Sequence, residues 1–251
     1  MNKQCILISL LLFLISCVKD TTSRNDIIMF TALINSSDFT KNEFVGDGTT
    51  KYKIELRALN GINITDGKTA TISVTDGWLS AVNNLGNGSS SSIISTIVNG
   101  GRTTFYYVAG NEARSNALLT VTIEGLTQSF NFSILPSEPD KIQLSVSQPN
   151  PTINDNVDVT AFLVKNNPNS NLTSKGLKVF FTVTKTNAAD QISANASVPG
   201  YSTSTIDGNG FIVCKTLVTT NRKPGTLTIT ATYTKTDNSV VTESTNLTYL
   251  P

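Results

Sequence analysis

The chain has 251 residues, of which 39% are hydrophobic, 7% aromatic and 15% charged, with 19 Lys and Arg against 18 Asp and Glu. Because phosphate binding depends on clustered Lys and Arg, this balance argues against nucleic acid as a partner. The sequence contains no His, which excludes Ser-His-Asp and Cys-His catalysis, His-ligated zinc and a histidine pH switch. We therefore expect a protein that is not an enzyme and that uses neither a metal nor a cofactor.

The first residues have the pattern of an export signal. Lys3 supplies a short positive segment, residues 5–15 form an apolar run, and a small residue precedes Cys17. This order is typical of a signal peptide, and the run is about half of the ~20 residues that a membrane-spanning helix needs. Residues 14–17, Leu-Ile-Ser-Cys, resemble the bacterial lipobox. The resemblance implies that residues 1–16 are removed and that the thiol of Cys17 receives a diacylglyceryl group.

Residues 17–26 form a polar segment without periodicity, which is typical of a flexible tether. Acyl chains on Cys17 would give stable membrane anchoring when two or three are present. Lys19 and Asp20 resemble the signal that sends some Gram-negative lipoproteins to the cell surface. We therefore expect a lipid-anchored protein of the bacterial outer membrane, placed on the cell surface, with the periplasmic face as the alternative.

Beyond the tether, hydrophobic and polar residues alternate in short runs that are separated by Gly, Asn, Asp and Pro. In one such run Ile54 and Leu56 point to one side and Lys53 to the other, as in a strand with one face on a core. The predicted strands of the first half are residues 27–33, 51–59, 69–75, 93–98, 102–109, 117–124 and 128–135. We predict that residues 27–135 form one antiparallel β-sandwich.

The second half repeats this pattern after a stiff, proline-bounded linker at residues 136–139. Residues 67–74 align with residues 176–183, and the offset stays near ~105 to 110 residues along both halves. The predicted strands are residues 141–146, 157–164, 177–184, 210–218, 226–233 and 240–247. Since about a hundred residues is the usual size of an immunoglobulin-like sandwich, residues 140–251 form the second. The chain is predicted to be all-β, with two tandem immunoglobulin-like antiparallel β-sandwiches after a lipoprotein signal peptide.

The second half also carries framework residues of a known domain family. The matching segments are residues 139–142 at the entry, 156–161 in an early strand, 176–183 in the next, the turn 207–210, and 225–231 near the end. These segments resemble the bacterial immunoglobulin-like domains of the invasin and intimin type. The resemblance covers essentially all of residues 26–251 and is looser in the first half. It implies extracellular spacers and adhesive stalks.

Four aromatic residues are candidates for contact with a ligand. If Leu79 points inwards, Trp78 points outwards, where an indole ring can stack on a sugar or anchor a protein partner. Packing of Trp78 against a loop or the neighbouring domain is the alternative. Tyr106 and Tyr107 lie on opposite faces of one predicted strand, so at least one is expected in the core, leaving the other for a surface contact. Tyr201 follows Pro-Gly in a loop and has the same two interpretations.

The turn Asp-Gly-Asn-Gly at residues 207–210 superficially resembles a calcium loop, but Val218 stands where that loop needs a bidentate carboxylate. A hairpin turn explains these residues better, because Asn and Gly tolerate positive φ. Of the three Cys residues, Cys5 would be removed and Cys17 acylated. Cys214 is then expected to be a buried free thiol, and no intrachain disulfide forms.

Together these features predict a non-enzymatic, lipid-anchored envelope or surface protein whose immunoglobulin-like domains serve adhesion, macromolecular binding or spacing. The membrane is a partner through the lipid on Cys17, and a protein or a glycan is the expected ligand. The alternative function is that of a carbohydrate-binding surface lipoprotein that uses exposed aromatic residues such as Trp78 and Tyr107.

Overall fold

The computed structural model describes residues 30–35, 37–59, 65–82, 91–166, 172–185, 200–219 and 224–251. The predicted signal peptide, the predicted lipidation site Cys17 and the predicted tether lie outside these residues. Across the described ranges, no helix is long and apolar enough to cross a membrane.

The first sandwich is formed by two five-stranded sheets among the described residues. Its strands are β1 (Phe30–Ile34), β2 (Ser37–Asp38), β3 (Glu43–Gly46), β4 (Lys51–Ala58), β5 (Thr69–Val74), β6 (Trp78–Ser80), β7 (Ile93–Ile97), β8 (Arg102–Val108), β9 (Arg114–Ile123) and β10 (Leu126–Pro136). One sheet has the order β2-β1-β4-β8-β6 and the other β3-β10-β9-β5-β7. Strand β3 pairs with β10 in parallel, whereas β4 pairs with its neighbours β1 and β8 in antiparallel fashion.

The core of the first sandwich is rich in aromatic rings. A short 3-10 helix, Phe39–Lys41, places Phe39 inside the sandwich, where its ring centroid lies 5.0 Å from that of Phe44. Phe44 in turn lies 5.0 Å from Phe132 and 5.2 Å from Tyr107. Aromatic pairs at such distances contribute about 0.5–1.5 kcal/mol beyond the area that they bury. These rings therefore hold the two sheets together where β3 and β10 of one sheet face β8 of the other.

The second sandwich is formed by two four-stranded sheets among the described residues. Its strands are β11 (Lys141–Val146), β12 (Val157–Val164), β13 (Lys178–Lys185), β14 (Tyr201–Thr203), β15 (Thr205–Ile206), β16 (Ile212–Val218), β17 (Gly225–Thr234) and β18 (Val240–Tyr249). One sheet has the order β11-β12-β16-β15 and the other β14-β13-β17-β18. Its core is a separate cluster of mostly aliphatic side chains, among them Val159, Ile229 and Leu247.

The two sandwiches share one topology, as the sequence repeat predicts. Strand β4 lies between β1 and β8, and β12 lies in the same way between β11 and β16. Strand β9 lies between β5 and β10, and β17 between β13 and β18. A parallel contact joins an early segment to the last strand in each copy, β3 to β10 in the first and Thr152 to Leu250 in the second. The predicted tandem of immunoglobulin-like β-sandwiches is confirmed.

Five short strands were absent from the sequence-based prediction: β2, β3, β6, β14 and β15. Each has two to four residues, which is too short for an alternating pattern to be recognised. At Ser204 the chain leaves the sheet of β13 and joins the sheet of β16. The Ser204 hydroxyl accepts a hydrogen bond from the Leu177 amide at 2.9 Å, which fixes this change of sheet.

Candidate functional site

The predicted linker forms part of a hydrogen-bonded contact between the two sandwiches. Strand β10 continues to Pro136, and the next residue, Ser137, is 3% exposed. The Ser137 amide donates to the hydroxyl of Ser174 at 2.8 Å, and the Ser174 amide donates to the Ser137 carbonyl at 2.9 Å. Ser174 belongs to the loop that precedes β13 and is fully buried. The linker therefore pairs with the second sandwich instead of running free.

Ser174 also reaches the first sandwich. Its hydroxyl donates to the carbonyl of Gly46, the last residue of β3. Beside it, the Lys175 amide donates to the Asn111 carbonyl at 2.8 Å. A Cβ atom at Gly46 would lie 2.8 Å from the Glu112 carbonyl oxygen. The close approach of these two backbone segments therefore requires glycine at position 46. We call the contact formed by these residues, Gly46, Asn111, Ser137, Ser174 and Lys175, the junction.

Charged side chains add to the junction on its exposed side. The Lys175 ammonium lies 2.8 Å from a Glu112 carboxylate oxygen, and this hydrogen bond holds the pKa of Glu112 below its ordinary value. Both side chains are well exposed, so the pair contributes little to stability by itself. Its geometry nevertheless ties the loop before β13 to the loop between β8 and β9.

A carboxylate also secures the linker to the adjacent end of the second sandwich. Glu138 accepts hydrogen bonds from the Thr236 amide at 2.7 Å and from the Tyr233 hydroxyl at 3.0 Å. Tyr233 lies near the end of β17, and Thr236 lies in the turn between β17 and β18. The linker residues Ser137 and Glu138, which follow Pro136, are thus held by hydrogen bonds that the sequence pattern alone does not predict.

The aromatic candidates of the first sandwich divide as the alternation requires. Trp78 is 40% exposed and Leu79 is fully buried. Leu79 therefore takes the inward position, and Trp78 takes the outward one that alternation then requires. Tyr106 is half-buried and lies on the same face of the sheet as Trp78. Its register partner is Ser80, which stands two residues after Trp78 on β6 and therefore shares its face.

Tyr107 is not a surface residue. It is fully buried, because its position on β8 points into the aromatic core, and the proposed role as a ligand contact is wrong for this residue. Burial strongly raises the pKa of the Tyr107 phenol. Its hydroxyl has no hydrogen-bond partner among the described residues.

Tyr201 forms an exposed pair with a residue that sequence reasoning missed. Tyr201 is 67% exposed, and its ring centroid lies 4.7 Å from that of Phe180, which is 37% exposed. In the sequence Phe180 stands in a continuous apolar run, which hides the alternation. Phe180, Thr182 and Thr184 occupy alternate positions of one strand and therefore share a face. The two polar residues would have placed Phe180 on the outer face.

The turn at residues 207–210 is a hairpin turn, as predicted. Strands β15 and β16 are antiparallel on either side of it, and Gly210 has a φ of 84°. The Asp207 carboxylate accepts hydrogen bonds from the amides of Asn209 at 2.9 Å and Phe211 at 2.8 Å. Cys214, in the following strand, is buried and free, as predicted. Where residues are described, no group of three or more His, Cys, Asp or Glu side chains is placed to hold a metal ion.

Comparison with known proteins shows the fold and not a family. No family model and no curated protein matches the chain. Among solved structures, the Yersinia pseudotuberculosis adhesin InvE matches with a TM-score of 0.57 and 16% identity over 90% of this chain. The chain spans 60% of that structure's length. This likeness confirms the immunoglobulin-like fold that the sequence resemblance implied.

Two further solved structures match with lower scores. A tetra-tandem repeat from the extending region of a large adhesion protein matches with a TM-score of 0.47 and 17% identity, covering 89% of this chain and 49% of that one. The D0-D1 domains of intimin match with a TM-score of 0.32 and 14% identity, covering 89% of this chain and 99% of that one.

Proposed function

We propose that this chain is a non-enzymatic, lipid-anchored protein of the bacterial cell surface whose two immunoglobulin-like sandwiches act as a stiff stalk for adhesion, macromolecular binding or spacing. The junction is the observation that carries the proposal. A spacer must transmit position from its anchor to its far end, and it can do so only if its domains keep a fixed orientation.

The hydrogen bonds of the junction favour such a fixed orientation. One of them joins backbone to backbone across the sandwiches, from the Lys175 amide to the Asn111 carbonyl, so no side-chain rotation releases it. The Ser174 hydroxyl contacts the linker and the first sandwich at once. Domains joined by a simple linker are expected to move relative to one another, whereas this contact opposes that motion.

The lipid anchor is supported by the lipobox at residues 14–17. Replacement of the acylated residue, Cys17→Ser, should move the protein from the membrane fraction to the soluble fraction. The matched control is Cys5→Ser, which changes the other Cys of the signal segment and should leave the protein with the membrane. If Cys17→Ser still sediments with membranes, the lipid anchor is wrong.

Surface exposure is tested by treating intact cells with a protease. Degradation of the protein, while a periplasmic marker survives, is the expected result. Survival of both would place the protein on the periplasmic face, where it would serve as a structural or accessory part of an envelope complex. In cells whose outer membrane has been opened, both proteins should be degraded, which controls for intrinsic resistance to the protease.

Carbohydrate binding is a second candidate function, and the exposure of Trp78 favours it. Trp78 is the only Trp of the chain, so intrinsic fluorescence excited at the indole reports on this one position. Added sugar should quench or shift that fluorescence if the ring stacks on a sugar face. A protein-binding or spacer role predicts no response to glycans.

A further inference from the structure

One exposed face of the second sandwich combines an aromatic pair with an array of hydroxyl groups. In the sheet β14-β13-β17-β18, Val179 and Phe181 of β13 point into the core, so Phe180 points outwards. The strand register places Tyr201 of β14 on one side of Phe180 and Thr232 of β17 on the other. The two rings and the threonine thus stand in one row across the sheet.

The next rows of this face consist of small polar side chains. Thr232 faces Thr242 on β18 at 3.5 Å between hydroxyl oxygens, and Thr230 faces Ser244 at 2.9 Å. Each hydroxyl in such a pair can still accept a further hydrogen bond. One hydroxyl of the Thr230–Ser244 pair can also still donate, whereas Thr242 donates to the Ala231 carbonyl at 3.2 Å and leaves Thr232 as the donor of its own pair. The outer positions of the array are Thr182 and Thr184 of β13, Thr226, Thr228, Thr230 and Thr232 of β17, and Thr242, Ser244, Asn246 and Thr248 of β18.

This face carries almost no charge. At its outward positions in the described part of the sheet, Lys178 is the charged residue, and it lies next to Phe180 at the start of β13. The only acidic residue of these strands, Glu243, has the parity of the inward row, because its register partner is the buried Ala231, and it is exposed at the edge strand β18. The opposite sheet of the same sandwich differs, since it exposes Lys141, Asp158 and Lys215.

We propose that this face, centred on Phe180 and Tyr201, binds a neutral glycan. The negative face of an aromatic ring attracts the weakly positive C–H groups of a sugar, and the hydroxyl rows can exchange hydrogen bonds with sugar hydroxyls. An anionic polymer would require clustered Lys or Arg. A protein partner would require an apolar centre that excludes water, whereas here the two rings are bordered by threonine hydroxyls and by Lys178. The proposal depends neither on the lipid anchor nor on the stiffness of the junction.

The first sandwich provides an internal comparison. Its equivalent face has the same kind of hydroxyl pairs, Thr120 with Ser129 at 3.0 Å among them. By the repeat alignment Phe180 corresponds to Thr71, whose register partner on β7 is Ser95. The hydroxyl array is therefore common to both sandwiches, while the aromatic pair belongs to the second. Glycan binding should follow the aromatic pair.

The test is retardation of the full chain, purified in detergent, in gels that contain a neutral polysaccharide: a mannan, a galactan, a β-glucan or a xylan. The unmodified chain should be retarded by at least one of them, and Tyr201→Ala should weaken that binding by about tenfold or more. Because Tyr201 is largely exposed, this substitution does not disturb the core. Thr232→Val, which removes one hydroxyl but keeps the shape, should weaken binding by a smaller factor. Thr120→Val in the first sandwich should have no effect.

A matched aromatic control is Phe211→Ala. Phe211 precedes β16 in the opposite sheet of the same sandwich and is 55% exposed. Its ring packs edge-on against that of Phe162, with 5.9 Å between the ring centroids. Its removal should leave glycan binding unchanged. Trp78→Ala shows which of the two sandwiches binds the glycan. Loss of binding in Trp78→Ala but not in Tyr201→Ala would place the glycan on the first sandwich and overturn this inference.

Three other results would also overturn it. These are retardation by none of the four neutral polysaccharides, binding that Tyr201→Ala leaves intact, and retardation by an anionic polysaccharide such as alginate alone. If Tyr201→Ala instead abolishes binding to an extracellular matrix protein, or self-association in sedimentation, while no neutral polysaccharide binds, the face serves a protein partner.

Discussion

Single buried residues make this protein sensitive to high pH. Cys214 and Tyr107 are both fully buried, and burial raises the pKa of the Cys214 thiol from its ordinary 9.0 to about 12. Such a group stabilises the folded state fully below its unfolded pKa, and that stability is lost as the pH rises through the folded pKa. We therefore expect the free energy of unfolding to fall as the pH rises above about 9, towards the folded pKa near 12.

Denaturant titrations at neutral pH and at several alkaline values measure this dependence. In the variant Cys214→Ala the decline should be smaller, because one of the titrating groups is gone. An unfolding free energy that stays constant up to about pH 11 would contradict the burial of these groups, whose pKa values the fold raises. The same burial predicts that Cys214 resists alkylation until the chain is unfolded.

Residue by residue, alternation predicted orientation where a strand has one polar face. In β4 it placed Ile54 and Leu56 inside and Lys53 outside. It left open which of Tyr106 and Tyr107 enters the core, because both faces of that strand carry aromatic residues. The answer depends on the partner: Phe44, more than sixty residues away in the chain, contacts the ring of Tyr107.

At the scale of the elements, the hairpin between β15 and β16 depends on one carboxylate. Replacing Asp207 by Ala removes the acceptor of two backbone hydrogen bonds, from Asn209 and Phe211. We expect a loss of about 1 kcal/mol in the free energy of unfolding. Asp207→Asn keeps an oxygen acceptor and should lose less. Thermal unfolding measures both variants.

The same experiment separates a hairpin turn from a calcium site. Calcium or a chelator should leave the melting temperature of the unmodified chain unchanged, because a ligand stabilises only a protein that binds it. A calcium-dependent rise that Asp207→Ala abolishes would show that the carboxylate holds an ion.

The long strands could be predicted from the sequence, and the short ones could not. The longer runs fill enough alternating positions for the pattern to be visible, as in β4 and β12, whose predicted and observed ends differ by at most one residue. Strands such as β3 and β14 are defined by the partner with which they pair, β10 and β13, and not by a pattern of their own. The Phe180–Tyr201 pair could not be predicted for the same reason. Its two rings meet only through the register of β13 against β14.

At the scale of the whole molecule, the repeat predicts two sandwiches but not how they are joined. Pro136 and Pro139 mark the linker in the sequence. The junction, however, brings together residues from four distant parts of the chain, including Gly46 and Ser174, which are 128 positions apart. No local pattern encodes such a contact. It arises because the loop before β13 fits against the ends of β3 and β10.

The stiffness of the molecule should therefore depend in part on the Ser174 hydroxyl, beside the backbone hydrogen bond from Lys175 to Asn111. Ser174→Ala leaves the buried Ser137 amide without its acceptor and the Gly46 carbonyl without its donor, at a cost of about 1–3 kcal/mol. Since each sandwich keeps its own core, both should remain folded while their mutual orientation loosens. Spin labels at Ser129→Cys and Ser244→Cys, one on each sandwich, should show a narrow distance distribution that Ser174→Ala broadens. Ser145→Ala, an exposed change, should leave it narrow. An equally narrow distribution in Ser174→Ala would show that the Ser174 hydroxyl does not set the orientation.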